Sequence, residues 1–147
     1  MIYLLDLNYT LVANSPPYGS KSIRPFIRQI EQEQYRQWLV ELLRPHMVIL
    51  ITARPDCYRE VTLNRIKAIT GWSPMDAVFG RIKARPHLIK EHLLLKHVFP
   101  KYGRDGFFAL ESNPRTQAMY LRYCIPSIRI TGEGISDNGI GWIIGLP

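Results

Sequence analysis

Short apolar runs recur along the chain, and each has the length of one β-strand. Most are continuous rather than alternating with polar residues, which is typical of strands that are buried on both faces of a parallel sheet. Turn-forming residues or segments with helical spacing separate them. The predicted strands are Ile2–Leu5, Met47–Ile51, Met75–Phe79, Gly106–Leu110 and Ser127–Ile130.

The segments between these runs have apolar residues near helical spacing, and Pro or Gly stands at several of their ends. The predicted helices are Arg24–Leu43, Pro55–Thr70, His87–Val98 and Thr116–Tyr123. Alternation of strands and helices predicts an α/β fold, namely a doubly wound, three-layer, Rossmann-like parallel sheet. In the strand order 3-2-1-4-5, the first strand is central.

We expect a single domain over residues 1–147, because this length suits one hydrophobic core. The loop Ala13–Ser20 is rich in turn formers and too short to be a cap domain. The tail, residues 131–147, is rich in glycine. Within it Trp142–Ile144 could form a short strand or pack over the edge of the sheet, and the sequence does not decide between these alternatives.

Charge and composition narrow the classes of ligand. The net charge is +7 with a pI near 9.6, which favours anionic ligands such as phosphorylated molecules or nucleic acids. No apolar run approaches the roughly 18 residues of a membrane span. Because Met1 leads directly into the first strand, we expect no signal peptide and a cytoplasmic protein. The two cysteines do not make a disulfide framework or a zinc site.

Polar side chains follow three of the predicted strands. Asp6 follows the first strand, Thr52 the second and Glu111 the fourth, while Lys90 lies one turn into a helix. Because the carboxyl ends of parallel strands meet at one edge of a sheet, a ligand site is expected there, at the topological switch point.

Each of these residues also has a simpler interpretation. Asp6 could be only a turn former, and Thr52 only a helix N-cap. Lys90 could be a solvated residue beside Glu91, and Glu111 a surface acid beside a turn. The basic loop that contains Arg81, Lys83 and Arg85 could likewise be solvated rather than a binding strip.

The order of these motifs resembles the haloacid dehalogenase-like (HAD) superfamily over nearly the whole chain. The motifs are Asp6-Leu-Asn-Tyr-Thr10, Thr52, Lys90 and Glu111, in that order. Three further stretches resemble the phosphatase domain of bifunctional polynucleotide kinase–phosphatases. They are Thr52-Ala-Arg54, Ala84–Glu91 and Pro114-Arg-Thr-Gln117.

The resemblance implies a Mg²⁺-dependent phosphatase or phosphotransfer enzyme that acts through an aspartyl-phosphate. Its ligand would be a phosphorylated small molecule or nucleotide, or a nucleic acid end. The implied catalytic residues are Asp6 as nucleophile, Asn8, Thr52 and Lys90. The implied metal ligands are Asp6, the Asn8 carbonyl and Glu111. The candidate substrate-binding residues are Thr10, Arg54, Arg85 and Asn113.

Two residues depart from the family pattern. Asn8 stands where active phosphatases of the family carry an Asp that protonates the leaving group. Loss of such a general acid typically costs about a hundred- to ten-thousand-fold in rate. Ser112 stands where relatives usually have a second acid, which predicts a weaker metal site. Two functions therefore stay open: an enzyme, or a degenerate domain that binds a phosphorylated ligand, a nucleic acid or a protein partner without turnover.

Overall fold

A computed structural model describes residues 1–21, 23–131 and 134–135 of the chain. The strands are β1 (Ile2–Leu5), β2 (Met47–Pro55), β3 (Asp76–Gly80), β4 (Phe107–Glu111), β5 (Ser127–Thr131) and β6 (Gly134–Ile135). The helices are α1 (Phe26–Glu31), α2 (Gln37–Leu43), α3 (Arg59–Thr70), α4 (Pro86–Leu93), α5 (Phe99–Tyr102) and α6 (Pro114–Arg122).

The first five strands form one parallel sheet in the predicted order 3-2-1-4-5. Strand β6 pairs antiparallel with β5 and extends that edge. β1 therefore lies at the centre, between β2 and β4, and the predicted Rossmann-like fold class is confirmed. Trp142–Ile144 lies outside the described residues. A single domain over the whole chain stays a prediction.

Side chains alternate between two hydrophobic cores, one on each face of the sheet. Tyr3 and Leu5 of β1 point to the core that α2 and α3 cover. Leu4 points to the other core, which is covered by α4, α5 and α6. Each fully buried Leu or Ile contributes about 1.5–3 kcal/mol. Because both faces are covered, a continuous apolar run was the correct signal for β1.

One predicted helix is wrong in its extent. Arg24–Leu43 is two short helices, α1 and α2, and not one. Tyr35 forms an antiparallel bridge with Val12 between them, and the Arg36 N–H donates to the Leu11 carbonyl at 2.9 Å. The chain thus leaves the helix to pair with the loop after β1, and this turns Glu33 into the protein interior.

The helix predicted over His87–Val98 continues further than expected. It passes from α4 through a π-helical turn, Leu94–Val98, into α5, which ends at Tyr102. Strand β2 is also longer than predicted and reaches Pro55.

None of the helices among the described residues has the length and apolar character that a membrane span requires.

The close approach of β3 to β2 depends on a glycine. A Cβ atom at Gly80 would lie 2.6 Å from the Ala53 carbonyl oxygen, which is closer than such atoms tolerate. Without a side chain at position 80, the end of β3 can lie against the end of β2, next to the residues of the site.

Candidate active site

The carboxylate of Asp6 is held in one orientation at the end of the central strand. Its backbone N–H donates to the Leu110 carbonyl at 3.0 Å, which fixes the chain between β1 and β4. Oδ1 accepts a hydrogen bond from Lys90 Nζ, and Oδ2 accepts one from Thr10 Oγ1 at 2.6 Å. With only 6% of its surface exposed, Asp6 is a buried, multiply bonded carboxylate and not a simple turn former.

Lys90 and Glu111 complete a buried charged cluster with Asp6. Lys90 Nζ lies 2.6 Å from Glu111 Oε2 while it also donates to Asp6. Glu111 Oε1 accepts the backbone N–H groups of Ser112 and Asn113 at 2.9 and 3.1 Å. Both side chains are buried, so the interpretations of Lys90 and Glu111 as solvated surface residues are wrong.

This cluster contains two carboxylates and one ammonium, so it has one negative charge in excess when all three are ionised. Burial opposes the charge on Lys90, but attraction by Asp6 and Glu111 outweighs it and raises the pKa of Lys90. Burial, followed by repulsion from Asp6, raises the pKa of Glu111 to about 7. The cluster thus holds Lys90 charged and leaves Glu111 close to protonation near neutral pH.

A cavity of about 120 Å³ opens onto this cluster, and Asp6, Asn8, Thr52, Lys90, Glu111 and Ser112 all line it. Four of the predicted site residues are therefore brought together with Asn8 at one edge of the sheet. Thr52 lies within β2, where its Oγ1 accepts the Arg54 N–H at 3.1 Å. It is not a helix N-cap, because the helical segment after β2 begins at Asp56.

Two buried hydroxyl groups near the cluster were missed by the sequence analysis. Thr116 lines the same cavity, and the phenol of Tyr120 lies close enough to interact electrostatically with Lys90, Glu111 and Asp6. Neither hydroxyl has a hydrogen-bond partner among the described residues. Their position in the helix that follows Glu111 at the end of β4 could have indicated that they lie near the site. Thr116 can donate to an oxygen of a bound anion.

Arg54 does not point into this cavity as a free guanidinium. It is buried and pairs with Glu33, while Nη1 donates to Thr62 Oγ1 at 2.9 Å. Nη2 donates to Asn8 Oδ1 at 3.0 Å. The interaction identifies that atom as the amide oxygen and leaves the NH₂ group of Asn8 as a donor toward other groups. Arg54 therefore reaches the cavity through Asn8.

Ser112 contacts two of the oxygens that the family resemblance assigns to a metal. Its Oγ lies 3.2 Å from Asp6 Oδ2 and 3.3 Å from the Asn8 carbonyl oxygen. A carboxylate oxygen and a carbonyl oxygen therefore lie within hydrogen-bond distance of the same hydroxyl. Mg²⁺ commonly binds with one or two carboxylates, substrate phosphates and several waters, so this donor set fits it.

Glu111 fits the metal role less directly, since both of its oxygens are bonded to Lys90 and to backbone N–H groups. Among the described residues, no group of three His, Cys, Asp or Glu side chains could hold a metal ion. The metal roles of Asp6, Asn8 and Glu111, and the Mg²⁺ cofactor, stay predictions.

The other two predicted substrate-binding residues lie at the rim. Asn113 lines the cavity, but its side chain also caps α6 by accepting the Arg115 N–H at 2.9 Å. Arg85 is exposed at the start of α4, where its side chain makes no capping hydrogen bond. It is adjacent to Pro86, which lines the cavity.

Comparison with known proteins supports the fold at low sequence identity. No protein-family model matches the chain, and no curated protein does. Among solved structures, the chain is similar to chains from two structures, the Pnkp1/Rnl/Hen1 complex and the Pnkp1/Rnl/Hen1 RNA repair complex. In both cases the TM-score is 0.67 at 20% identity over 88% of this chain. This chain spans 45% and 42% of the lengths of those chains.

Proposed function

We propose that the protein is a Mg²⁺-dependent phosphatase or phosphotransfer enzyme of the HAD type that acts on a phosphorylated nucleotide or nucleic acid end. One observation carries the proposal: Asp6, Thr52, Lys90 and Glu111 converge on one cavity at the carboxyl edge of the sheet. The similarity to chains of an RNA repair complex supports the choice of a nucleic acid end as substrate.

In this mechanism a carboxylate oxygen of Asp6 attacks the phosphorus in line. The bond from phosphorus to the leaving alkoxide breaks as the aspartyl-phosphate forms, and water then hydrolyses the aspartyl-phosphate. Lys90 and Thr10 already bind Asp6, so the nucleophile is oriented before substrate arrives. Lys90 also offsets the negative charge of the phosphoryl group.

Asp6, the Asn8 carbonyl and Ser112 would hold Mg²⁺, which would supply positive charge to offset the negative charge of the phosphoryl group. Thr52 and Thr116 line the cavity as hydroxyl donors for the phosphoryl oxygens. The Asn8 amide can hydrogen-bond the leaving oxygen but cannot give it a proton. The proton must come from water, which favours substrates with good leaving groups.

A second candidate function is binding of a phosphorylated end without turnover. The Arg54–Asn8 contact favours it. Asn8 Oδ1 accepts a hydrogen bond from a buried guanidinium, so residue 8 has a structural partner and does not need to be a catalytic acid. Phosphate recognition through Lys90, Thr52 and Thr116 would survive such a change.

Release of inorganic phosphate in the presence of Mg²⁺ tests the proposal. The substrates are p-nitrophenyl phosphate, nucleotides and oligonucleotides that carry a terminal phosphate. We expect turnover by the wild-type chain and its loss, by about ten-thousand-fold or more, in Asp6→Asn. Asp105→Asn is the matched control, because Asp105 is exposed and precedes β4 at the opposite edge of the sheet.

Equal rates for wild type and Asp6→Asn would exclude the aspartyl-phosphate mechanism. Failure of the wild-type protein to turn over any of these substrates, with vanadate or inorganic phosphate still bound, would select the binding function instead.

A further inference from the structure

A second and larger cavity adjoins the one at Asp6. Its volume is about 530 Å³, against about 120 Å³ for the cavity at Asp6. Tyr9, Tyr18, Ser112 and Asn113 line both, so the two cavities share a wall and a ligand can extend from one to the other. The smaller volume suits a phosphoryl group, and the larger is in the range of sites for small organic ligands.

The charges around the larger cavity favour a polyanion. Arg36, Arg115 and Arg129 line it, and none of its lining residues in the described part of the chain is acidic. Arg115 and Arg129 are exposed. Arg36 is buried and donates through Nε to the Thr10 carbonyl at 2.8 Å, so it supports the wall. Two exposed guanidinium groups on a cavity that adjoins the one at Asp6 can each pair with a phosphate of a nucleic acid backbone.

An aromatic pair provides a stacking surface between the cavities. The rings of Tyr9 and Tyr18 are stacked, with centroids 4.3 Å apart and an angle of 10° between planes. Tyr9 is anchored, since its N–H donates to Ser15 Oγ at 2.8 Å and its hydroxyl to the Pro16 carbonyl. Tyr18 keeps 76% of its surface exposed, so the ring face turned away from Tyr9 is open to a ligand.

We propose that this larger cavity binds the unpaired terminal nucleotides of a single-stranded nucleic acid, with a base on Tyr18 and backbone phosphates at Arg115 and Arg129. The inference rests on the proposed function, because it places the body of the strand whose terminal phosphate reaches Asp6. An unpaired end is required, since only an unpaired base can leave its own stack to lie on an exposed aromatic ring.

The experiment measures binding of a fluorescein-labelled oligothymidylate with a terminal hydroxyl, by anisotropy, at several salt concentrations. Tyr18→Leu is expected to weaken binding by about 5- to 150-fold, the range for loss of one base–aromatic stack. Tyr18→Phe retains the ring and should bind like wild type. In the Arg115→Gln/Arg129→Gln double variant, the slope of log affinity against log salt should fall by about 1.4.

Lys96→Gln removes one exposed positive charge outside both cavities and serves as the control. Thermal unfolding of every variant confirms the fold. Three results would overturn the inference: no binding by the wild-type chain, equal affinity for a blunt duplex and a single strand, or a Tyr18→Leu affinity equal to that of Lys96→Gln. Because the probe carries no terminal phosphate, the outcome is independent of whether the protein turns over any phosphate ester.

Discussion

Two buried charged clusters lie side by side at the carboxyl edge of the sheet, and they differ in what their charges do. In the first, Lys90 contacts both Asp6 and Glu111, and a cavity opens onto all three. In the second, Arg54 pairs with Glu33, and its two Nη atoms also donate to Thr62 and Asn8. Glu33 and Arg54 are not among the residues that line the Asp6 cavity.

We interpret the first cluster as the candidate active site and the second as a structural ion pair. The second cluster is neutral overall, because the Arg54 charge is paired with that of Glu33 within the protein. When Asp6, Lys90 and Glu111 are all ionised, the first cluster has one excess negative charge beside a polar cavity, so a positively charged environment would stabilise that state. Burial of charge alone therefore does not identify the candidate site. An excess of negative charge together with an accessible cavity does.

Asn8 connects the two clusters, because its Oδ1 accepts from Arg54 and its carbonyl oxygen accepts from Ser112, which also contacts Asp6. Of the substitutions considered, Asn8→Asp should have the largest effect. A carboxyl group there restores a proton donor, and turnover of nucleotides should rise by about a hundred- to ten-thousand-fold. Steady-state phosphate release measures it, with Asp6→Asn in the same background as the control that removes the gain. An unchanged rate would mean that the Arg54 contact keeps the new carboxylate ionised, or that the defect lies at Ser112.

Breaking the second cluster should affect stability. Glu33→Gln leaves the Arg54 charge buried without its counter-ion, and the free energy of unfolding should fall by about 3–5 kcal/mol. Urea denaturation measures the change. Glu41→Gln is the matched control, because Glu41 forms an exposed pair with Arg44 and its loss should leave the denaturation midpoint nearly unchanged. Equal effects of the two substitutions would refute the assignment of a structural role to Arg54.

The first cluster should make stability depend on pH. Since the pKa of Glu111 is raised from 4.5 to about 7, the folded protein binds more protons than the unfolded chain between these values. The free energy of unfolding of the metal-free protein should therefore decrease as pH rises from about 4.5 to 7. Asp6→Asn removes one cause of the shift and should flatten this dependence. Thermal unfolding in EDTA, measured from about pH 4.5 to 7, tests this prediction. A wild-type stability that does not change with pH would contradict it.

The smallest expected effect concerns the metal. Ser112→Asp adds a second carboxylate beside Asp6 and the Asn8 carbonyl, and Mg²⁺ affinity should rise roughly tenfold. Isothermal titration calorimetry measures it, and Ser73→Asp, an exposed position before β3, controls for added negative charge. Equal Mg²⁺ affinity in wild type and Ser112→Asp would mean that the point between these oxygens is not a metal site.

Much of the fold was predictable from the sequence, because β1, β2 and β4 are covered on both faces and so are continuous apolar runs. The position of Asp6, Thr52 and Glu111 at strand ends then predicted that they would meet, and they do. Helical periodicity was less informative over Arg24–Leu43, because the bridge between Tyr35 and Val12 is a long-range contact that no local pattern encodes.

Long-range partners also limited the prediction of the site. Arg54 is a predicted substrate-binding residue, and no local pattern indicates that Glu33, in a segment predicted as helix, is its partner. Ser112 was interpreted only as a lost charge, whereas its hydroxyl connects Asp6 Oδ2 with the Asn8 carbonyl. Tyr18 lay in a segment that turn formers dominate, so its stacking on Tyr9 had no local signal.

The missing side chain at Gly80 has a consequence for the width of the Asp6 cavity. Ala53, whose carbonyl oxygen would lie only 2.6 Å from a Cβ atom at position 80, is itself a lining residue of that cavity, as is its neighbour Thr52. A methyl group at position 80, on the edge strand β3, would therefore displace β2. The distance between Thr52 and Asp6 would then change. The dimensions of the site are set in part by a residue that never touches a ligand.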